Sequence, residues 1–196
     1  MSIHQVHKSE SERLSQGDIF KDVKFYESYQ EYQGNFELNV LEIPYAIILT
    51  QDCDLEQNKN ERKKLIGLSE EERRKAKLDK YLVSLLCAPL YNAEQLLVGT
   101  HLSNIGVNAE PYNSDNRKRI KQNNNIRYHY LEFTRDIILP PMIIDFKHYF
   151  SVNLFMLENS IKNRIYSVDS LFRESISHRF AHYLSRIGLP EITQME

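Results

Sequence analysis

The sequence predicts an α+β domain in which a small, mostly antiparallel β-structure is closed off by a C-terminal amphipathic helix. Three observations carry that expectation. Most apolar residues fall in short alternating or continuous stretches separated by Gly, Asn, Asp and Pro, which is the punctuation of strands. Twelve Tyr and nine Phe against six Gly and no Trp give the aromatic load of a β-rich core. The C-terminal segment instead repeats its apolar positions at helical spacing.

Residues 1–15 read as a flexible lead-in, and residues 16–190 as one domain. Gly17 and Asp18 turn the chain into a first strand marked by Ile19, Val23, Phe25 and Tyr29. Gly34-Asn35 is the next turn, and Phe36, Leu38 and Val40 alternate into a second strand. The continuous run Tyr45–Thr50 predicts a central strand buried on both faces. Residues 55–80 form a charged insertion, with a helix started by Ser69 and acids in its first turn. Residues 81–90 are the next strand, and Asn92 caps a short helix to Val98. Residues 108–127 are a polar insertion without hydrophobic period. Strands are expected at 128–133 and 137–139, then at 142–146 and 149–157 as a hairpin around Lys147-His148, and last at 164–168. Asp169 or Ser170 caps the final helix, whose apolar face is Leu171, Phe172, Ile176, Phe180, Tyr183, Leu184 and Ile187. Gly188 and Pro190 end it.

A chain of 196 residues fits one domain and can bury enough surface to need neither disulfide nor structural metal. The net charge of −2 gives no global attraction for nucleic acid or anionic lipid, so such binding requires a local patch. Cys53 and Cys87 match no zinc or redox spacing and read as a reduced pair. No signal-peptide core and no membrane-length apolar run is present. The expectation is a soluble, cytoplasmic protein with no cofactor and no resident metal.

Two segments carry candidate chemistry. Thr50-Gln51-Asp52-Cys53-Asp54 directly follows the buried strand, a rigid platform for functional side chains. Cys53 as nucleophile, His178 or His182 as base, and Asp52 or Asp54 as orienter would make a catalytic set. The two histidines stand four apart on one helix face. The same thiol, imidazoles and carboxylates are acceptable zinc ligands, while a structural role for each is the simpler reading. The second segment is Arg117, Lys118, Arg119 and Lys121, continued by Arg127 and Tyr128. Cations attract phosphates, and Tyr112, Tyr128 and Tyr130 can stack on unpaired bases. A solvated loop is the competing explanation. Arg179 and Arg186 complement the dipole of the last helix, which accounts for them.

Gly17-Asp18-Ile19-Phe20, followed by Pro44-Tyr45-Ala46-Ile47-Ile48-Leu49-Thr50, resembles the opening of the PemK/MazF-type family. The resemblance covers about the first 55 residues and implies an SH3-like barrel, many members of the family being endoribonuclease toxins. Where the family's catalytic arginine precedes the proline, this chain has Ile43, so the resemblance implies the barrel without the nuclease. The functional expectation is a binding module that contacts single-stranded RNA or DNA, or a protein partner or second copy, through the basic segment and the last helix. A Cys53-dependent hydrolase or endoribonuclease-like toxin and a regulatory subunit of a complex are the alternatives.

Overall fold

A computed structural model gives the fold and describes residues 6–9, 11–133 and 137–186. The strands are β1 (Val6–His7), β2 (Asp18–Tyr32), β3 (Asn35–Ile48), β4 (Ser84–Asn92), β5 (Tyr128–Leu131), β6 (Met142–Asp145), β7 (Phe150–Asn153) and β8 (Arg164–Val168). The helices are α1 (Asp52–Lys63), α2 (Glu70–Lys75), α3 (Ala93–Val98), α4 (Ser114–Lys121), α5 (Leu154–Asn159) and α6 (Ser170–Leu184). All strand pairings are antiparallel, in the order β1-β8-β2-β3-β4-β6-β5, with β7 also on β4. The sheet curls into a half-barrel, and the class is α+β.

Strand β4 is the hinge of this curl. Its first half pairs with β7, its middle with β3, and its last three residues with β6. The expected hairpin around Lys147-His148 is therefore absent: β6 and β7 lie end to end along β4, joined by a short 3-10 turn. Asp145 makes that turn by accepting a hydrogen bond from the Lys147 amide at 3.0 Å. After Asn153 the chain turns helical as α5 rather than continuing as a strand to 157. Asn153 Oδ1 accepts from the Phe155 amide at 3.0 Å, the capping arrangement that starts a helix. Residues 137–139, expected as a strand, take no strand pairing.

Three apolar clusters hold the elements together. The first sets Ile176, Phe180 and Tyr183 of α6 against Ile19, Ile47, Ala88, Ile144 and Phe146. The second buries Leu55 of α1 and Leu154 and Leu157 of α5 against Phe20, Ile43, Ile48 and Leu85. The third joins α3 and α4 to β5 and β6 through Leu96, Leu97, Ile120, Tyr128 and Ile143. On α6, Leu171 and Leu184 point to solvent. Ile187, Gly188 and Pro190 lie outside the described residues.

Both polar insertions are more built than their composition predicts. Residues 55–80 hold α2, a solvated helix with a full Ser69–Glu72 capping box. They also hold most of α1, which starts earlier, at Asp52, and packs Leu55, Asn58 and Glu61 inward. Residues 108–127 contain α4, because Asn113 caps it and one apolar residue, Ile120, is enough to seat it. The lead-in is tied down as well. Val6 pairs with Val168 on the sheet edge, and Val6 and Leu14 are buried. Among the described residues, no helix is long and apolar enough to cross a membrane.

Candidate functional site

The corner after the central strand is held by its polar side chains. Thr50 Oγ1 accepts from the Leu86 amide at 2.7 Å, which pins the end of β3 to β4. Asp52, first residue of α1, takes Arg13 Nη2 at 2.8 Å and the Gln16 amide at 3.1 Å, and Arg173 of α6 lies 3.6 Å away. Gln16 also donates to the Leu49 carbonyl and to Ser177 Oγ. Asp52 is thus a clasp joining the lead-in, α1 and α6, and its charge sits well at a helix N-terminus.

Gly17 makes the clasp geometrically feasible. Its φ of +83° is a conformation that L side chains rarely adopt, and a Cβ there would meet Arg173 Cγ at 2.8 Å. Next to it Asp18 is fully buried, accepting from Ser167 Oγ at 2.6 Å, the Ser15 amide at 2.8 Å and Arg164 Nη1 at 3.1 Å. Arg164 spends its other donors on the carbonyls of Ser9, Ser11 and Arg13. The Gly17-Asp18 pair is an anchor for the lead-in.

Cys53 is exposed at the start of α1. Its thiol lies 3.6 Å from Gln51 Oε1 and 3.8 Å from Asp54 Oδ1. His178 and His182 are both exposed on α6. Among the described residues, no hydrogen bond joins either histidine to Cys53, and no three His, Cys, Asp or Glu side chains gather closely enough to hold a metal ion. The structure brings Cys53, Asp52 and Asp54 together and leaves the histidines out, because the α6 side chains turned toward this corner are Arg173 and Ser177.

The basic segment divides into two groups. Lys118, Arg119 and Lys121 are exposed on α4, with Lys121 3.5 Å from Glu94. Arg117 is half-buried, its Nε donating to the Tyr112 carbonyl at 2.7 Å. Arg127 is turned inward onto Asp145, with Nε to Oδ1 at 2.8 Å and Nη2 to Oδ2 at 2.5 Å. Tyr128 is buried, its hydroxyl 2.7 Å from that of Tyr112. Of the residues expected as contacts for nucleic acid, Arg127 is thus half-buried on Asp145, and Tyr128 is buried in the third cluster. Arg179 is likewise consumed, bonding the carbonyls of Asn123, Asn125 and Tyr128.

One polar cluster escaped the sequence reading. Around the fully buried Asp145 stand Arg127 and His148, with His148 Nδ1 3.3 Å from Asp145 Oδ2 and 3.1 Å from the Tyr91 hydroxyl. His101 packs edge-on against Tyr91, ring centres 4.7 Å apart. Burial works against the charge of Arg127, but the Asp145 carboxylate more than offsets this and raises its pKa. Burial lowers the pKa of His148, while the nearby Asp145 carboxylate works against that shift. Burial likewise lowers His101 and raises Tyr91. Tyr91 and His101 line a cavity of about 450 Å³ with Tyr45, Gln95, Pro140 and Met142. The one sequence signal was Asp145, an acid closing the apolar run 142–144 as Asp52 follows the run 45–49.

Comparison with known proteins finds no matching family model, no matching curated protein and no matching solved structure. The chemistry of these sites therefore rests on their own geometry.

Proposed function

We propose that this chain is a binding module that contacts single-stranded nucleic acid through the outer face of α4, backed by α6. The observation that carries the reading is the mounting of α4. Asn113 caps the helix, Ile120 and the Arg117–Tyr112 bond seat one side, and Lys118, Arg119 and Lys121 are exposed, the first two on the side away from that seat. Three cations on a rigid helix lose less freedom on meeting phosphates than the same cations on a loop. Gln122 and Asn124 are exposed beside them and Tyr130 is half-exposed nearby, which supplies polar and stacking groups. Asp115 beside them and Glu94, 3.5 Å from Lys121, limit the net charge of the patch to about +1.

The reading extends to the sheet, which we take as an SH3-like barrel of PemK/MazF type closed by α6. In its support, the two segments that carry the resemblance are direct neighbours, Ile19 opposite Ile47 and Phe20 opposite Ala46. The position before the proline is Ile43, a buried core residue, which favours binding over cleavage.

The test is a gel-shift series with labelled single-stranded RNA. Three phosphate contacts predict an affinity falling with salt at a log–log slope near about −2. The triple reversal Lys118→Glu, Arg119→Glu, Lys121→Glu should abolish the shift, and unchanged affinity would remove α4 from the argument. A second reading, a Cys53-dependent hydrolase, is favoured by the exposure of Cys53 at the clasped start of α1. Cleaved RNA that stays intact with Cys53→Ala would promote it over the binding module.

A further inference from the structure

We infer that the outer half of the β2–β3 hairpin is a self-association surface, covered face to face and antiparallel by a second copy of this chain. Beyond Lys21 and Ile43 the two strands pair only with each other: β8 reaches β2 at residues 18–20, and β4 reaches β3 at 46–48. The result is a projecting ribbon. An isolated two-stranded ribbon is at best marginally stable in water.

The register sorts its side chains. Tyr26 stands opposite Val40, Tyr29 opposite Leu38 and Glu31 opposite Phe36. The bulge between Tyr26 and Ser28 keeps the two tyrosines on one face despite their odd spacing. The other face carries Ser28 opposite Asn39, Gln30 opposite Glu37 and Tyr32 opposite Asn35, with Phe25 and Leu41 at its base packed against the second cluster. Between base and tip one face is thus mainly apolar, and the other is mainly polar apart from Tyr32. The apolar residues are open to solvent: Tyr26 47%, Tyr29 72%, Phe36 68%, Leu38 59% and Val40 44% exposed.

Two arguments identify the occupant. The first is area. By ordinary side-chain areas the five expose together on the order of 600 Å², more than scattered surface residues explain. Buried by an equal patch this becomes about 1,200 Å², the lower bound of stable interfaces. A self-complementary patch of this size closes a two-fold dimer. The second is charge. On the apolar face Lys24, opposite Glu42, marks the base of the ribbon and Glu31 marks the tip. Antiparallel stacking places each Glu31 over Lys24 of the other copy, whereas parallel stacking exchanges the strands and leaves Glu31 over Phe36, with no cation to meet it. In the antiparallel arrangement Tyr29 of one copy covers Tyr26 and Val40 of the other, with the two-fold axis near the bulge.

The full chain should sediment as two chains. Leu38→Glu, at an exposed position that leaves the core untouched, should raise the dissociation constant more than about tenfold with an unchanged circular dichroism spectrum. Glu31→Lys should weaken the dimer several-fold, and adding Lys24→Glu should restore it. A wild-type chain that remains single at on the order of 100 μM overturns the inference. So does a Leu38→Glu variant that associates as tightly as wild type. A single chain whose ribbon, carrying a photo-crosslinker at position 29, joins a different protein also overturns it and assigns the ribbon to that partner.

Discussion

The two cysteines differ in reach by their surroundings. Cys53 is exposed, while Cys87 is buried in β4 and burial pushes its thiol up to about 12. A thiol reagent should titrate one group in the folded protein and two in denaturant, and Cys53→Ala should leave none reactive. Two fast groups in the native state would contradict the burial of Cys87. His129 offers a second test. It is buried in β5, its Nδ1 has no hydrogen-bond partner, and burial together with the Arg179 charge pushes its pKa down to about 3. The unfolded chain binds this proton near pH 6.5 and the folded chain does not. Stability is therefore lost as pH falls from about 6.5, on the order of 3 kcal/mol by pH 4 from this residue. His129→Phe should flatten that acid limb in urea titrations, and an unchanged limb would assign it to His101 and His148 instead. Neither environment is legible in the sequence, because the groups that bury His129 come from elements far along the chain.

At the scale of elements, the turn after β6 depends on one carboxylate. Asp145 holds Arg127, the Lys147 amide and His148 at once. Asp145→Asn keeps the shape but leaves the partly buried Arg127 guanidinium without its counter-charge. A loss of about 2–3 kcal/mol in denaturant unfolding, at unchanged m-value, is expected. A loss below about 0.5 kcal/mol would mean that solvent already screens the pair. Elements with local signals were readable: α3 from its Asn92 cap, α2 from Ser69 and its acids, and the buried end of β3 from its apolar run, although β3 runs unbroken through Pro44 where two separate strands were expected. Elements that depend on a distant seat were not. Helix α4 shows only Ile120 as an anchor, and α5 follows β7 through an apolar stretch that reads equally as strand. At the corner, sequence spacing put the histidines of α6 on one face, but only the packing of the helix decides that Arg173 meets Asp52 and Ser177 meets Gln16.

For the whole molecule, stability is distributed unevenly around the half-barrel. Strands β2, β3 and β4 are sandwiched between the first two clusters at Ile19, Phe20, Ile47, Ile48, Cys87 and Ala88. Their amides should exchange hydrogen last, near the global unfolding limit, while the exposed helix α2 should exchange orders of magnitude faster. Equal protection in both would contradict a core centred on β4. The sequence foresaw the antiparallel, strand-rich character from its turn residues and aromatics, but not the sharing of β4 among three partners, which no local pattern encodes.

The buried Asp18 anchor has a consequence for synthesis. Its guanidinium partner, Arg164, lies 146 residues downstream. At ordinary elongation rates a nascent chain exposes Asp18 for roughly ten to thirty seconds before Arg164 is made. The β2–β3 ribbon is a local hairpin that forms in microseconds, and being marginal by itself it opens and closes until the rest of the sheet is made. Closure of the half-barrel at this edge waits for β8, which brings the counter-charge of Asp18 and the strand that Val6 and His7 pair with.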